Sequence, residues 1–203
     1  MPIINAGKFI QLLAISSSAA LLLSACVGGG GALGGTRFYS LQSMDVTAAD
    51  KAAKTQRNIK VGVGPIRLTR LLRRPQIVTR KSGTEIAMAE HHQWGGLLKE
   101  DLSRTLTDNF SNLLNTPNIV QYPWKLSAKP NYSVSIDIDQ LDGELGGYVT
   151  LKAHWRLSKQ RKETVVRNTT LRQQVKGGDY NAYVTAQSEA LFKLSELISK
   201  EIR

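Results

Sequence analysis

The chain has 203 residues, 41% of them hydrophobic, with 27 Lys and Arg against 16 Asp and Glu, a formal net charge of +11 and a single cysteine. That length suits one domain with a real core, and a lone thiol excludes an intramolecular disulfide. The positive balance narrows acidic partners to nucleic acid, anionic head groups or acidic protein surfaces.

The N-terminus has the three parts of an export signal. Lys8 and the free amino group supply positive charge, Phe9 to Leu23 an apolar run, and Ser24-Ala25 the small residues a signal peptidase accommodates. The run of about 15 residues would make a helix of roughly 22 Å, against the ~30 Å of a bilayer's hydrocarbon core, so it is too short for a permanent span. Ser16, Ser17 and Ser18 lower its apolarity further.

Leu23-Ser24-Ala25-Cys26 resembles the lipobox of bacterial lipoproteins. The resemblance implies that Cys26 becomes the mature N-terminus, carrying a diacylglycerol thioether and an N-acyl chain. The alternative for Cys26 is a small buried core thiol, but Gly28 to Gly31 follow at once, and a glycine run buries nothing. One acyl chain anchors marginally at ~0.8 kcal/mol per buried methylene, and two or more hold firmly. The expectation is therefore a lipid-anchored protein that sits on a membrane without crossing it, with export removing nucleic acid as a partner. In enterobacterial lipoproteins an Asp just after the cysteine retains the protein in the inner membrane; Val27 and Gly28 stand here. That resemblance implies the outer membrane, facing the periplasm.

Val27 to Thr36 reads as a flexible tether. For about 10 residues a glycine-rich chain has a typical end-to-end distance of roughly 17 Å. It lacks the Gly-Lys-Ser/Thr of a phosphate loop, so no nucleotide site is expected. The expected organisation is a signal peptide over 1–25, a lipidated tether over 26–36 and one domain over 37–203.

Arg37 to Leu41 predicts a short strand, and Gln42 to Arg57 an exposed, poorly ordered stretch. Asn58 to Val63 predicts a second strand stopped by Gly64-Pro65. Ile66 to Arg74 carries Leu68, Leu71 and Leu72 among arginines until Pro75, and Gln76 to Arg80 and Glu85 to Ala89 predict two strands around Ser82-Gly83. Trp94, Leu97, Leu98, Leu102, Leu106, Phe110, Leu113 and Leu114 recur at steps of three or four and predict one face of a helix that Asn115-Thr116-Pro117 stops.

Tyr132 to Gln140 alternates strictly, and Tyr148 to Leu157 does the same after a turn over 142–147, which predicts a hairpin with one wet face. Glu163 to Val175 predicts a third strand. Asp179 is the expected N-cap of a last helix with Tyr180, Tyr183, Val184, Leu191, Leu194 and Ile198 on its apolar face. The expected fold is α+β: a two-layer sandwich of a largely antiparallel or mixed sheet and two amphipathic helices.

Catalysis needs a nucleophile, a base and an orienting group in mutual reach. His154 falls on the polar side of its strand, and His91-His92 stand without nearby acidic or cysteine ligands, which is weak ground for zinc. Asp137, Asp139, Asp142 and Glu144 lack the spacing of an EF-hand loop and read as solvated strand carboxylates. No catalytic residue, metal or cofactor is expected.

Gly64-Pro65-Ile66, Leu71 to Arg80, Glu85, Ala89-Glu90, Trp94 and the leucine-rich helix to Leu114 resemble the PqiC-type lipoproteins, also called ABC-type transport auxiliary lipoproteins. The resemblance implies a role beside an MCE-domain protein, which forms a hydrophobic lipid tunnel across the periplasm, and its membrane-embedded permease partner. The lipoprotein would hold the tunnel's far end at the outer membrane. The expected contact is the basic segment Arg67, Arg70, Arg73, Arg74 and Arg80 with Leu71 and Leu72 as apolar anchors, since arginine beside apolar side chains is common at interface centres. The alternative is a solvated loop whose leucines complete the core. A lipid carrier with its own apolar pocket is the competing function, and association into a homo-oligomer through strand edges is a further expectation.

Overall fold

Alternating apolar and polar residues build the long strands of the fold. The computed structural model describes residues 35–44 and 58–202. Strands β1 (Arg37–Tyr39), β2 (Val61–Leu68), β3 (Gln76–Arg80) and β4 (Ile86–Trp94) precede helix α1 (Leu98–Leu114). Strands β5 (Ile119–Gln121), β6 (Tyr132–Gly143), β7 (Tyr148–Lys159) and β8 (Lys162–Gln174) follow, and helix α2 (Tyr180–Glu201) comes last.

The strands form two sheets, one of five strands in the order β5-β2-β6-β7-β8 and one of three in the order β1-β4-β3. β2 is parallel to both β5 and β6, while β6, β7 and β8 are antiparallel neighbours. The parallel pairing of β2 with β6 needs a long crossover, and the intervening β3, β4, α1 and β5 supply it. Helix α1 packs on β2 and β5, α2 packs on β7 and β8, and the helices touch one another.

The core lies between the helices and the large sheet. Leu102, Leu106 and Phe110 of α1 and Leu191, Leu194 and Ile198 of α2 are buried with Val134 and Ile136 of β6 and Leu151 and Leu157 of β7. Asp179 caps α2 by accepting from the Ala182 N–H at 2.8 Å, and α1 closes on Asn115 in the left-handed conformation. The β6–β7 turn requires Gly143, because a Cβ there would run into the Tyr148 backbone.

Several elements depart from their sequence-based bounds. β2 does not stop at Gly64-Pro65 but runs through it to Leu68, and its register against β6 shifts between Val63 and Ile66. The irregularity accommodates a proline that has no N–H to give the ladder. Trp94 is the last residue of β4 and not the first of a helical stripe, Leu97 is 63% exposed, and His91 and His92 lie within β4. Gln42 to Met44 are tied down: the Gln42 N–H donates to Ser188 Oγ and the Met44 N–H to Asn109 Oδ1, both at 3.1 Å. Residues 45–57 lie outside the described residues.

Candidate docking surface

The seven residues of the predicted contact fall into different environments. Arg70, Leu71, Leu72 and Arg73 form a single 3₁₀ turn after β2, followed by Arg74. Arg70, Arg73 and Arg74 are exposed, Leu71 is half-buried, and Leu72 points into the core. None of these three arginines has a hydrogen-bond or ion-pair partner among the described residues. The turn therefore presents three unpaired cations around one partly exposed apolar side chain, while Leu72 fixes it to the fold.

Arg67 and Arg80 are occupied. Arg67 lies on the outer face of β2, where Nε and Nη2 donate to the two Asp137 carboxylate oxygens at 2.6 and 3.0 Å. That hydrogen bonding holds the Asp137 carboxyl below its ordinary pKa. Arg80 makes the same bidentate contact with Asp142, at 2.7 and 3.2 Å, and also donates to the Gly83 carbonyl at 3.2 Å. Leu23, Ser24, Ala25 and Cys26 lie outside the described residues.

Asp142 is not a solvated carboxylate: its side chain is 2% exposed. The register shift between Ile138 and Gln140 sets Leu141 opposite Leu151 on the core face and Asp142 opposite Thr150 on the outer face, and Asp142 is buried there because Arg80 of β3 packs over it. Gln140 Nε2 donates to Asp142 Oδ1 at 2.7 Å. Beside it the Tyr183 hydroxyl donates to the Val78 carbonyl at 2.9 Å and accepts from the Gly143 N–H at 2.7 Å. Burial, reinforced by the Asp142 charge, pushes the Tyr183 pKa well above its ordinary value. This knot joins β3, β6 and α2 and is structural, since its polar groups are turned toward one another.

The short strand β1 is held by side chains. Asp101 accepts from the Leu41 N–H, and Arg104 donates to the Leu41 carbonyl at 2.7 Å and to Asp101. The Tyr39 hydroxyl meets His92 Nδ1 at 2.7 Å, and the His92 ring stacks on Tyr180 with centroids 3.9 Å apart. Burial, helped by the charge of Arg37, lowers the His92 pKa. His154 bonds Asn168 Oδ1 at 2.6 Å across the outer face of the sheet. Among the described residues no group of three His, Cys, Asp or Glu is placed to hold a metal ion, and no helix is long and apolar enough to cross a membrane.

Among the described residues, several clefts open onto the surface. One of about 570 Å³ is lined by Trp124, Lys129 and Arg161 among others, and one of about 530 Å³ by Tyr39, Leu97, Asp101 and Arg104 among others. Both carry charged side chains.

The family described as an ABC-type transport auxiliary lipoprotein component matches residues 39–199. The chain belongs to that family. As an ABC-type transport auxiliary lipoprotein it is of a membrane-anchored kind and serves a transport system. Two solved structures share the fold of this auxiliary lipoprotein. One, described only as an uncharacterized protein, is 20% identical with a TM-score of 0.68, covering 83% of this chain and 99% of that one. The other, protein XCC0632 from Xanthomonas campestris, is 14% identical with a TM-score of 0.66, covering 82% and 94%. No curated protein matches the chain.

Proposed function

We propose that this auxiliary lipoprotein is a non-catalytic outer-membrane component of an MCE-type lipid transport system, docking the periplasm-spanning tunnel at the membrane where its own acyl chains are set. In this reading residues 1–25 are the signal peptide, Cys26 carries the lipid, residues 26–36 are the tether and residues 37–203 are the docking domain. Tethering raises the effective concentration of the docking surface near the membrane, so a modest interface suffices.

The observation that carries the reading is the turn that presents Arg70, Arg73 and Arg74, exposed and without partners among the described residues, beside the half-buried Leu71, with Leu72 set in the core. It suits an acidic rim with an apolar centre on the partner. β8, 13 residues long and at the edge of the large sheet, is the surface through which copies would associate. The test is co-purification from a membrane extract with Cys26 intact. Arg70, Arg73 and Arg74 changed together to Glu should abolish recovery of the MCE and permease subunits while the melting temperature stays put. Unchanged recovery refutes the surface.

A further inference from the structure

A second basic site lies at the other end of β2. Val61 of β2 pairs with Tyr132 of β6, which pairs with Lys159 of β7, so the starts of β2 and β6 meet the β7–β8 turn. Between that turn and residues 124–131 is the cleft of about 570 Å³, with Trp124, Lys129, Asn131, Ser133, Gln160 and Arg161 on its walls. The Arg70–Arg74 turn follows the far end of the same strand, eight residues away, or roughly 25 Å at about 3.3 Å per residue.

The chemistry of the walls is one-sided. Lys129 and Arg161 contribute two cations, and none of the residues lining the cleft is acidic. Lys159 adds a third cation nearby, 5.3 Å over the Tyr132 ring, while Glu163 is engaged by Arg156 at 3.8 Å. Asn131 Oδ1 accepts from the Lys60 N–H at 2.8 Å, so its amide nitrogen is the group left to donate, and Ser133 lines the same cleft. One wall is an aromatic platform. The Trp124 indole lies against β2 because residue 62 is glycine: a Cβ there would come within 2.8 and 2.9 Å of the ring. Tyr122 props it edge-on, with centroids 5.5 Å apart.

The backbone of this cleft is also costly. Among the described residues four that are not glycine have positive φ, and three of them, Lys129 (36°), Gln160 (49°) and Arg161 (69°), line it. The two-residue β7–β8 turn has the conformation that favours Asn-Gly, yet Gln-Arg stands there. Residues held in such conformations collect at ligand sites, where the surrounding structure over-determines them.

We infer that this cleft binds an organic phosphate, with Lys129 and Arg161 on the phosphate oxygens, Asn131 and Ser133 as neutral donors, and the glycerol or sugar body against Trp124. The inference is independent of the docking reading, because it uses none of the arginines of the 3₁₀ turn.

Trp124 supplies its own signal. Trp94 and Trp155 are 6% and 3% exposed, so a change in intrinsic fluorescence on binding reports the half-buried Trp124. The full lipidated chain in polyoxyethylene detergent micelles is titrated with sn-glycerol 3-phosphate, with inorganic phosphate, and with micelles doped with phosphatidylglycerol or, as a phosphate-free control, diacylglycerol. A saturable response to glycerol phosphate at least ten-fold tighter than to inorganic phosphate supports a soluble ligand. A response to phosphatidylglycerol but not to diacylglycerol supports a lipid head group. In either case Lys129→Gln with Arg161→Gln should weaken binding at least ten-fold with an unchanged melting temperature, and Trp124→Phe should abolish the signal while calorimetry still detects weakened binding. No response to either organic phosphate, equal affinity for inorganic phosphate, or a response that the double variant retains overturns the inference.

Discussion

β6 begins and ends in opposite kinds of surroundings. At Gly143 it enters a closed knot in which the buried Asp142 is met by Arg80 and Gln140, and the Tyr183 hydroxyl satisfies Val78 and Gly143. At Tyr132 it borders an open cleft whose cations face water and whose turn residues are held at positive φ. The same strand thus runs from polar groups paired for stability at one end to neighbouring turns held at positive φ, at Lys129, Gln160 and Arg161, at the other. The difference teaches that charge on this protein has to be read by its partners: Arg80 and Arg161 are the same residue type serving opposite ends.

The sharpest way to break the contrast is to open the knot. Asp142→Ala removes the buried carboxylate that both the half-buried Arg80 and Gln140 bond and should lower stability by about 2–3 kcal/mol, read as the largest loss in urea midpoint of the series. Tyr183→Phe keeps the ring but strands the Val78 carbonyl and the Gly143 N–H; calorimetry should show a loss of about 1–3 kcal/mol. At the open end the sign should reverse. Arg161→Gly relieves a left-handed arginine and should raise stability by about 1 kcal/mol, detected as a melting temperature roughly 2–4 °C higher; a loss there would mean that the turn is ordinary.

The smallest effect is expected midway along the strand, at the exposed Arg67–Asp137 pair. Asp137 is held below its ordinary pKa in the fold, so the pair contributes above the unfolded value near 4 and that contribution disappears as pH falls through the folded one. Melting curves of the parent and Arg67→Gln should differ slightly at neutral pH and converge in acid.

Local pattern was enough for the elements whose burial follows one period. The alternation of β6 and β7, the leucine stripe of α1, the Asp179 cap and the α+β layering could all be read from the residues alone. What escaped depends on breaks in period or on pairing at long range. Arg80, 62 residues away in sequence, covers Asp142, the irregularity at Pro65 lets β2 continue, and Trp94 joins a strand because β4 pairs with β1 and β3 in a second sheet. Within the basic segment the residue types were informative, but only the register could tell that Arg67 and Arg80 face carboxylates while Arg70, Arg73 and Arg74 do not. The cleft at Trp124 gathers residues from three separated stretches, and no spacing in the sequence announces it.

The clamps on β1 have a mechanical consequence. Gly95 donates to the Tyr39 carbonyl at 2.8 Å, Asp101 and Arg104 grip both sides of the Leu41 peptide, and Ser188 and Asn109 hold the next backbone amides. Any tug arriving from upstream of Arg37 is borne first by the β1–β4 ladder and then by these polar ties, most of them to the two helices, as a strain-relief collar bears the pull on a cable, before the apolar layer beneath carries load.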